Sequence, residues 1–476
     1  MKTVLYNKML FIKTIMNNQM KVILIIILFF TFQIGIAQVF NPTPIFIDDD
    51  APGGFLTTGD INNDGYQDII HVSSQRLVWY ENDAQGNFSD PVVIDTEPGQ
   101  SFDIKAIDLD QDSNLDILVS SFAHDRLYFY RNLGGGSFAP RQVLAENLDR
   151  IRSSKSADLN GDGFLDLVIG ITNSVGLYWM EHLDGLGNFA PPTPISTTLA
   201  QARYQQIGDI NGNGFMDVLS NSGGSTLLSW FENDGQGDFP TQHIVENSGF
   251  YHKQLFLKDI DGNGNLDIVC ISDDGVFWYE NLDGFGNFSS KHIIHSTTDS
   301  AIQYSQLAVF DIDNNGTMDV VYLSSINDGV NYQLNDGSGN FSNPYYVDPP
   351  TGITSGGNFP LDIDSDGDKD LINIAAINGN PSLRILWWYE NQTILNVQDY
   401  ALKGLTITPN PVAGVLSIKS KTPLKSVSFY QSQGKTLKTV TSSFESIDVT
   451  FLTPGIYFVW IEGQEGERVV TTVIKK

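Results

Sequence analysis

The chain has 476 residues, 41% hydrophobic and 17% charged, with a formal net charge of -29, a composition that supplies a large core and excludes a disordered polymer. The charge is unevenly spread: 14 Lys and Arg meet 51 Asp and Glu from Gln38 to Asp399, against nine and five from Tyr400 onward, so the acidic body would repel a phosphate backbone and excludes nucleic acid as a partner. The single cysteine, Cys270 in the apolar run IVCI, excludes an intrachain disulfide and reads as buried filler.

In chain order the first element is a targeting segment. The run MKVILIIILFFTFQIGIAQ from Met20 places a lysine before an apolar stretch and small residues, Gly35 and Ala37, before a cut. Residues 1–37 therefore read as a secretory signal, with Met20 as a possible true start, and the mature chain as exported without a transmembrane segment.

From residue 38 to 392 the chain repeats. In DLNGDGFLDLVIG, Asp158 to Gly170, acidic or amide side chains stand at the first, third, fifth and ninth places and Gly163 at the sixth. Oxygen ligands two apart on a tight turn, with glycine where a left-handed backbone is easiest, suit a hard cation such as calcium. Asp, Asn and Gly also crowd ordinary turns, so one loop alone says little. The loop, however, begins again at Asp60, Asp108, Asp209, Asp259, Asp311 and Asp362, at spacings of 48 to 52 residues. A period of that length marks a repeat architecture.

Each repeat carries four short apolar segments. In the third, Arg152 to Ala157 lead into the loop, Leu165 to Gly170 leave it, Gly176 to Glu181 follow, and Asn188 to Ile195 come after a glycine turn. Aromatic and β-branched residues with turns every dozen residues predict a four-stranded antiparallel sheet per repeat. Trp79, Trp179, Trp230 and Trp278 recur at one place in the third strand, where packing between adjacent sheets outweighs a sugar-stacking role, and the Gly-Asn-Phe tracts read as hairpin turns. The seventh repeat stops at Gln392 without a fourth strand, and Val39 to Ile47 looks like the missing one. The expected fold class is all-β: a seven-bladed propeller closed by an N-terminal strand, followed by a small C-terminal β-sandwich.

These D-x-[DN]-x-[DN]-G-x-x-D loops, with their aromatic and Gly-x-Phe tracts, resemble the FG-GAP or VCBS repeats of integrin-α-like propellers. The resemblance implies an extracellular protein with up to seven calcium ions. The ligands it implies are Asp60, Asn62, Asp64 and Asp68; Asp108, Asp110, Asp112 and Asp116; Asp158, Asn160, Asp162 and Asp166; Asp209, Asn211, Asn213 and Asp217; Asp259, Asp261, Asn263 and Asp267; Asp311, Asp313, Asn315 and Asp319; and Asp362, Asp364, Asp366 and Asp370. Ser113 replaces the sixth-place glycine of the second loop, and the loop at Asp209 offers only two carboxylates. An EF-hand is excluded, because place twelve holds no Glu and β-like sequence follows.

After a linker at 393–404 the charge changes sign. Alternating segments within 405–476, the PNP at Pro409 to Pro411, Gly455 to Phe458 and the terminal lysines resemble the C-terminal sorting domain of type IX secretion, which implies contact with the secretion machinery and display at the bacterial surface; an accessory carbohydrate-binding sandwich is the alternative. The seven histidines are scattered over different repeat positions and no serine has a nucleophile-elbow setting, so the expected class is adhesion or ligand binding to glycan or extracellular protein. A polysaccharide lyase or hydrolase is the alternative. Strand alternation sends the calcium loops and the recognition loops to opposite faces. On the second face Arg152, Arg203 and Lys253 share one repeat position, with Tyr204, Tyr251 and His252 beside them, as candidate ligand-binding residues.

Overall fold

The computed structural model describes residues 39–476 except 52–53, 173–174, 224–225, 248–251, 273–274, 297–303, 325–328, 348–352, 378–379, 394–405, 410, 422, 431–435, 454 and 465–467. The signal segment, most of the linker and Tyr251 lie outside the described residues. The chain divides into two compact units, up to residue 394 and from 395.

Seven four-stranded antiparallel sheets make up the first unit. Six take consecutive strands from one repeat, as in the third: Ile151–Ala157, Asp166–Ile171, Val175–Met180 and Thr193–Ala200. The seventh pairs Ile353–Leu361, Asp370–Ile377 and Asn380–Tyr389 in order and takes its fourth strand, Ile45–Ala51, from the N-terminal end. Phe40 extends that pairing by a bridge to Asn391.

Strands buried on one face alternate polar and apolar residues, but the second strands here are buried at every position, from Asp68–Ser73 to Asp267–Ser272. A sheet covered on both faces demands such runs. Each apolar cluster of the unit accordingly draws on two neighbouring sheets. Trp79 packs with Ile117 and Tyr128 of the second sheet, and Trp278 with Val320 and Tyr322 of the sixth. Leu386 and Trp388 of the seventh pack with Leu56, Ile69 and Tyr80 of the first. Cys270 is buried in one of these clusters.

The hairpin glycines fix the spacing between sheets. A Cβ added to Gly136 would lie 2.4 Å from Trp79, and the same construction puts Gly237 against Trp179, Gly286 against Trp230 and Gly339 against Trp278. Each of these four tryptophans is thus roofed by the hairpin of the next sheet. The tryptophan stripe is packing, and the glycine is what lets the indole fit.

The second unit forms a three-stranded sheet, Thr406–Thr408, Val415–Lys419 and Ile447–Asp448, and a four-stranded sheet ordered Thr436–Val440, Leu424–Tyr430, Gly455–Gly463 and Arg468–Lys475. Leu416, Ile418, Val427, Phe429, Tyr457 and Val459 are among the residues of its own core. Among the described residues no helix is long and apolar enough to cross a membrane.

Candidate functional site

The acidic loops join the first and second strands of every sheet, and backbone hydrogen bonds preshape them. The first-place carboxylate accepts the N–H of the sixth place in all seven, from Gly65 to Asp60 at 2.9 Å through Gly367 to Asp362 at 3.2 Å. The sixth place is left-handed, φ 95° at Gly65, and Ser113 takes φ 72° there at the cost expected of a side chain.

The ninth-place aspartates have a role the sequence reading did not assign. Asp68 accepts Ile61 N–H on one oxygen and Asn82 N–H on the other, both at 2.9 Å, and its counterparts through Asp370 do the same. Each therefore ties its loop to the end of the third strand. Burial pushes these carboxyls up, against the backbone bonds that lower them: Asp68, Asp166 and Asp217 to about 6, Asp116, Asp267 and Asp319 to about 7, and Asp370 to about 8. The asparagine beside each clamp reaches the preceding sheet. Asn132 Nδ2 donates to Ile61 O at 2.8 Å, Asn281 to Ile210 O at 2.9 Å, and Asn82 to Ile363 O of the seventh sheet at 2.9 Å. Only the third sheet differs, with His182 accepting Gly187 N–H instead.

Asp108, Asp110 and Asp116 converge with ligand atoms within 4.8 Å of one another, as do Asp259, Asp261 and Asp267, Asp311, Asp313 and Asp319, and Asp362, Asp364 and Asp370. The seventh and second loops each bury carboxylate oxygens that accept no hydrogen bond, Asp366 Oδ2 in the one and both oxygens of Asp110 in the other, as a cation site would. The first, third and fourth loops have an amide at the third place: Asn62 Nδ2 donates to Asp64 at 3.0 Å, Asn160 to Asp162 at 3.1 Å, and Asn211 to Glu232 at 3.3 Å. Glu81 and Glu181 stand over their loops in the same way as Glu232, accepting from Asn62 and Asn160 at 3.1 and 3.3 Å. The recurring Glu-Asn after the aromatic pair carries that signal in the sequence.

Residues from the first strands of all seven sheets line one cavity of about 360 Å³. Arg152 spans its wall, stacked 3.9 Å over the Phe102 ring and donating to the Tyr204 hydroxyl at 3.2 Å. Lys105 pairs with Asp103 at 2.5 Å, whereas half-buried Lys155 makes no hydrogen bond or ion pair among the described residues. Burial, and then the Lys105 ammonium, push Lys155 down to about 8 against the attraction of Asp103. Of the six candidate ligand residues, Arg152 and Tyr204 line this cavity. Arg203 is half-buried and donates to Gln201 at 3.0 Å, Lys253 is half-buried, and His252 is buried with Nε2 3.5 Å from the Tyr279 hydroxyl. The other histidines also serve packing: His243 stacks on Trp230, His292 on Trp278, His295 on Tyr322 and His182 on Phe189.

A comparison with curated proteins found no match. Among solved structures, a lectin of Agrocybe aegerita, described in terms of specific recognition of non-reducing terminal N-acetylglucosamine, is 19% identical over 71% of this chain and 86% of its own, with a TM-score of 0.51. PorZ, a surface component of the type IX secretion system of Porphyromonas gingivalis, is 13% identical over 92% of this chain and 60% of its own, with a TM-score of 0.41. The first supports a propeller-like fold of repeated four-stranded sheets. Residues 406–476 match the secretion system C-terminal sorting domain, so the chain is sent by type IX secretion to the cell surface or beyond. Six successive matches to the FG-GAP-like repeat, 60–119, 108–169, 158–220, 209–269, 259–322 and 311–373, span more than half of the sequence, and the protein belongs to the FG-GAP-like repeat family.

Proposed function

We propose that the seven sheets are the blades of a closed calcium-loaded propeller, and that it is a non-enzymatic module that binds an anionic or hydroxyl-rich group of a glycan or extracellular protein. The carrying observation is the cavity: Arg152, Lys105 and Lys155 line it with Asp103 as the one acidic neighbour, inside a body that is otherwise strongly acidic. An unpaired ammonium beside aromatic rings offers charge-assisted donors and stacking surface together. Arg203 and Lys253, at the repeat position of Arg152, extend this basic face, with Tyr251 and His252 beside them. None of the described histidines lines the cavity, which supports the non-enzymatic reading, because an acid or base must reach the bound group to exchange a proton with it.

The test is a screen of the purified protein against glycan and matrix-protein arrays, with and without calcium. For a captured ligand, Arg152→Ala together with Lys155→Met should weaken binding tenfold or more while melting stays within a few degrees of the parent; Arg152→Ala, Arg203→Ala and Lys253→Ala combined should abolish it. Unchanged affinity would remove the cavity from the reading.

Export is a separate matter. The 38–392 region, the 393–404 linker and the 405–476 sorting domain are proposed to act independently, so a chain ending at Gln392 should melt like the parent propeller yet fail to reach the surface of its host. Normal display of the shortened chain, measured by surface labelling, would assign the export signal elsewhere.

A further inference from the structure

One position in the repeat separates the second loop from the rest. Between the aromatic pair of the third strand and the clamp asparagine stand Glu81, Glu181, Glu232, Glu280 and Glu390 in five sheets and Leu334 in the sixth; the second has Arg131. Where glutamate stands it adds negative charge to the loop, and Glu390 is among the groups that push Asp366 up, after burial and Asp362. Arg131 does the reverse. Its Nε contacts Asp110 Oδ2 and its Nη2 lies 3.5 Å from Asp112 Oδ2. The Asp110 side chain is fully buried beneath it, while Arg131 keeps 45% of its side chain in solvent.

The seventh loop supplies the control within the same molecule. Like the second, it has aspartate at all four ligand places. It carries Glu390 where the second carries Arg131. Both loops bury carboxylate oxygens that accept no hydrogen bond, Asp366 Oδ2 in the seventh and those of Asp110 in the second, and only in the second does a guanidinium lie against them. The same ligand set therefore stands once with a fixed cation and once without. A guanidinium against the Oδ2 atoms of the third- and fifth-place carboxylates competes with a hard cation for those groups and repels it at close range.

We propose that the Asp108–Asp116 loop binds no metal ion, and that Arg131 is its permanent counter-ion. The chain then takes up at least one cation fewer than its seven loops suggest, and the second sheet keeps its shape when the others lose their ions. This rests on the calcium reading above for its stoichiometry but not for the role of Arg131.

The experiment measures calcium bound per chain by equilibrium dialysis and elemental analysis, on the full protein and on Arg131→Glu, and melting of Arg131→Gln in chelator and in calcium. Arg131→Glu should bind one more ion than the parent, and Asp112→Asn in the parent background should leave the count unchanged. Arg131→Gln should melt a few degrees lower in chelator and recover in calcium. Loss of one ion on Asp112→Asn alone, or no gain on Arg131→Glu while other loops are loaded, would overturn the proposal. If no loop binds calcium the calcium reading fails, and the chelator arm decides this one: a lower melting temperature keeps Arg131 as the counter-ion, and an unchanged one dismisses it.

Discussion

Removing divalent cation should lower the melting temperature of the propeller by roughly 10 °C or more, and the loss should grow between pH 5 and pH 8. A site held at 100 times its dissociation constant adds about 2.7 kcal/mol, so two or three loaded loops already match the margin of an ordinary domain, about 5–15 kcal/mol. The pH term follows from the buried clamps. Burial raises Asp68, Asp116, Asp166, Asp217, Asp267, Asp319 and Asp370 to between about 6 and about 8 in the absence of an ion. A folded-state value above the unfolded one stabilises the fold at low pH, and that contribution disappears as pH rises through the folded value. The ion-free protein should therefore weaken from pH 5 to pH 8. A calcium-loaded protein should strengthen over the same range, because the ion requires ionised ligands. Calorimetry at both pH values, in chelator and in calcium, gives the four numbers. The fourth loop, with two carboxylates among its four places, should empty first, and parallel pH profiles with and without calcium would reduce the loops to plain turns.

The second large effect belongs to a residue with no chemistry. Gly136→Ala should destabilise the propeller by about 3 kcal/mol, because the new Cβ adds left-handed strain to overpacking. Gly136 has φ +71°, and the added Cβ would lie 2.4 Å from Trp79, whose ring is 5% exposed and held by the cluster between the first two sheets. Its neighbour is the control. Gly135 has φ +59° but nothing within 4 Å of the added Cβ, so Gly135→Ala should cost about 1 kcal/mol or less. Denaturant titration of both variants separates packing from backbone strain. Equal costs would mean that the hairpin glycine serves the turn alone and that Trp79 can move.

The repeat, its loops and its strands were legible in the sequence because each is written in residues close along the chain. Two-residue ligand spacing, an aromatic pair followed by a glycine turn, and a period near 50 need no knowledge of what lies across the sheet. Even the fourth strand of the seventh sheet was announced by the likeness of Val39 to Ile47 to the other fourth strands. What the residues do to each other was not so written. Asp68 reads as a fourth metal ligand, and only the fold adds its second task, accepting backbone N–H groups seven and 14 residues away on its two oxygens. Asn82 reads as a turn residue until Ile363 O, 281 positions distant, comes within 2.9 Å. Arg131 differs visibly from the glutamates of other repeats, yet only folding brings its guanidinium onto Asp110 and Asp112. Local spacing sets which loops and strands form, because their hydrogen bonds and turns close over a few residues. Which oxygen is left for an ion, and which is already taken by an amide or an arginine, depends on groups that meet only when one sheet packs on the next.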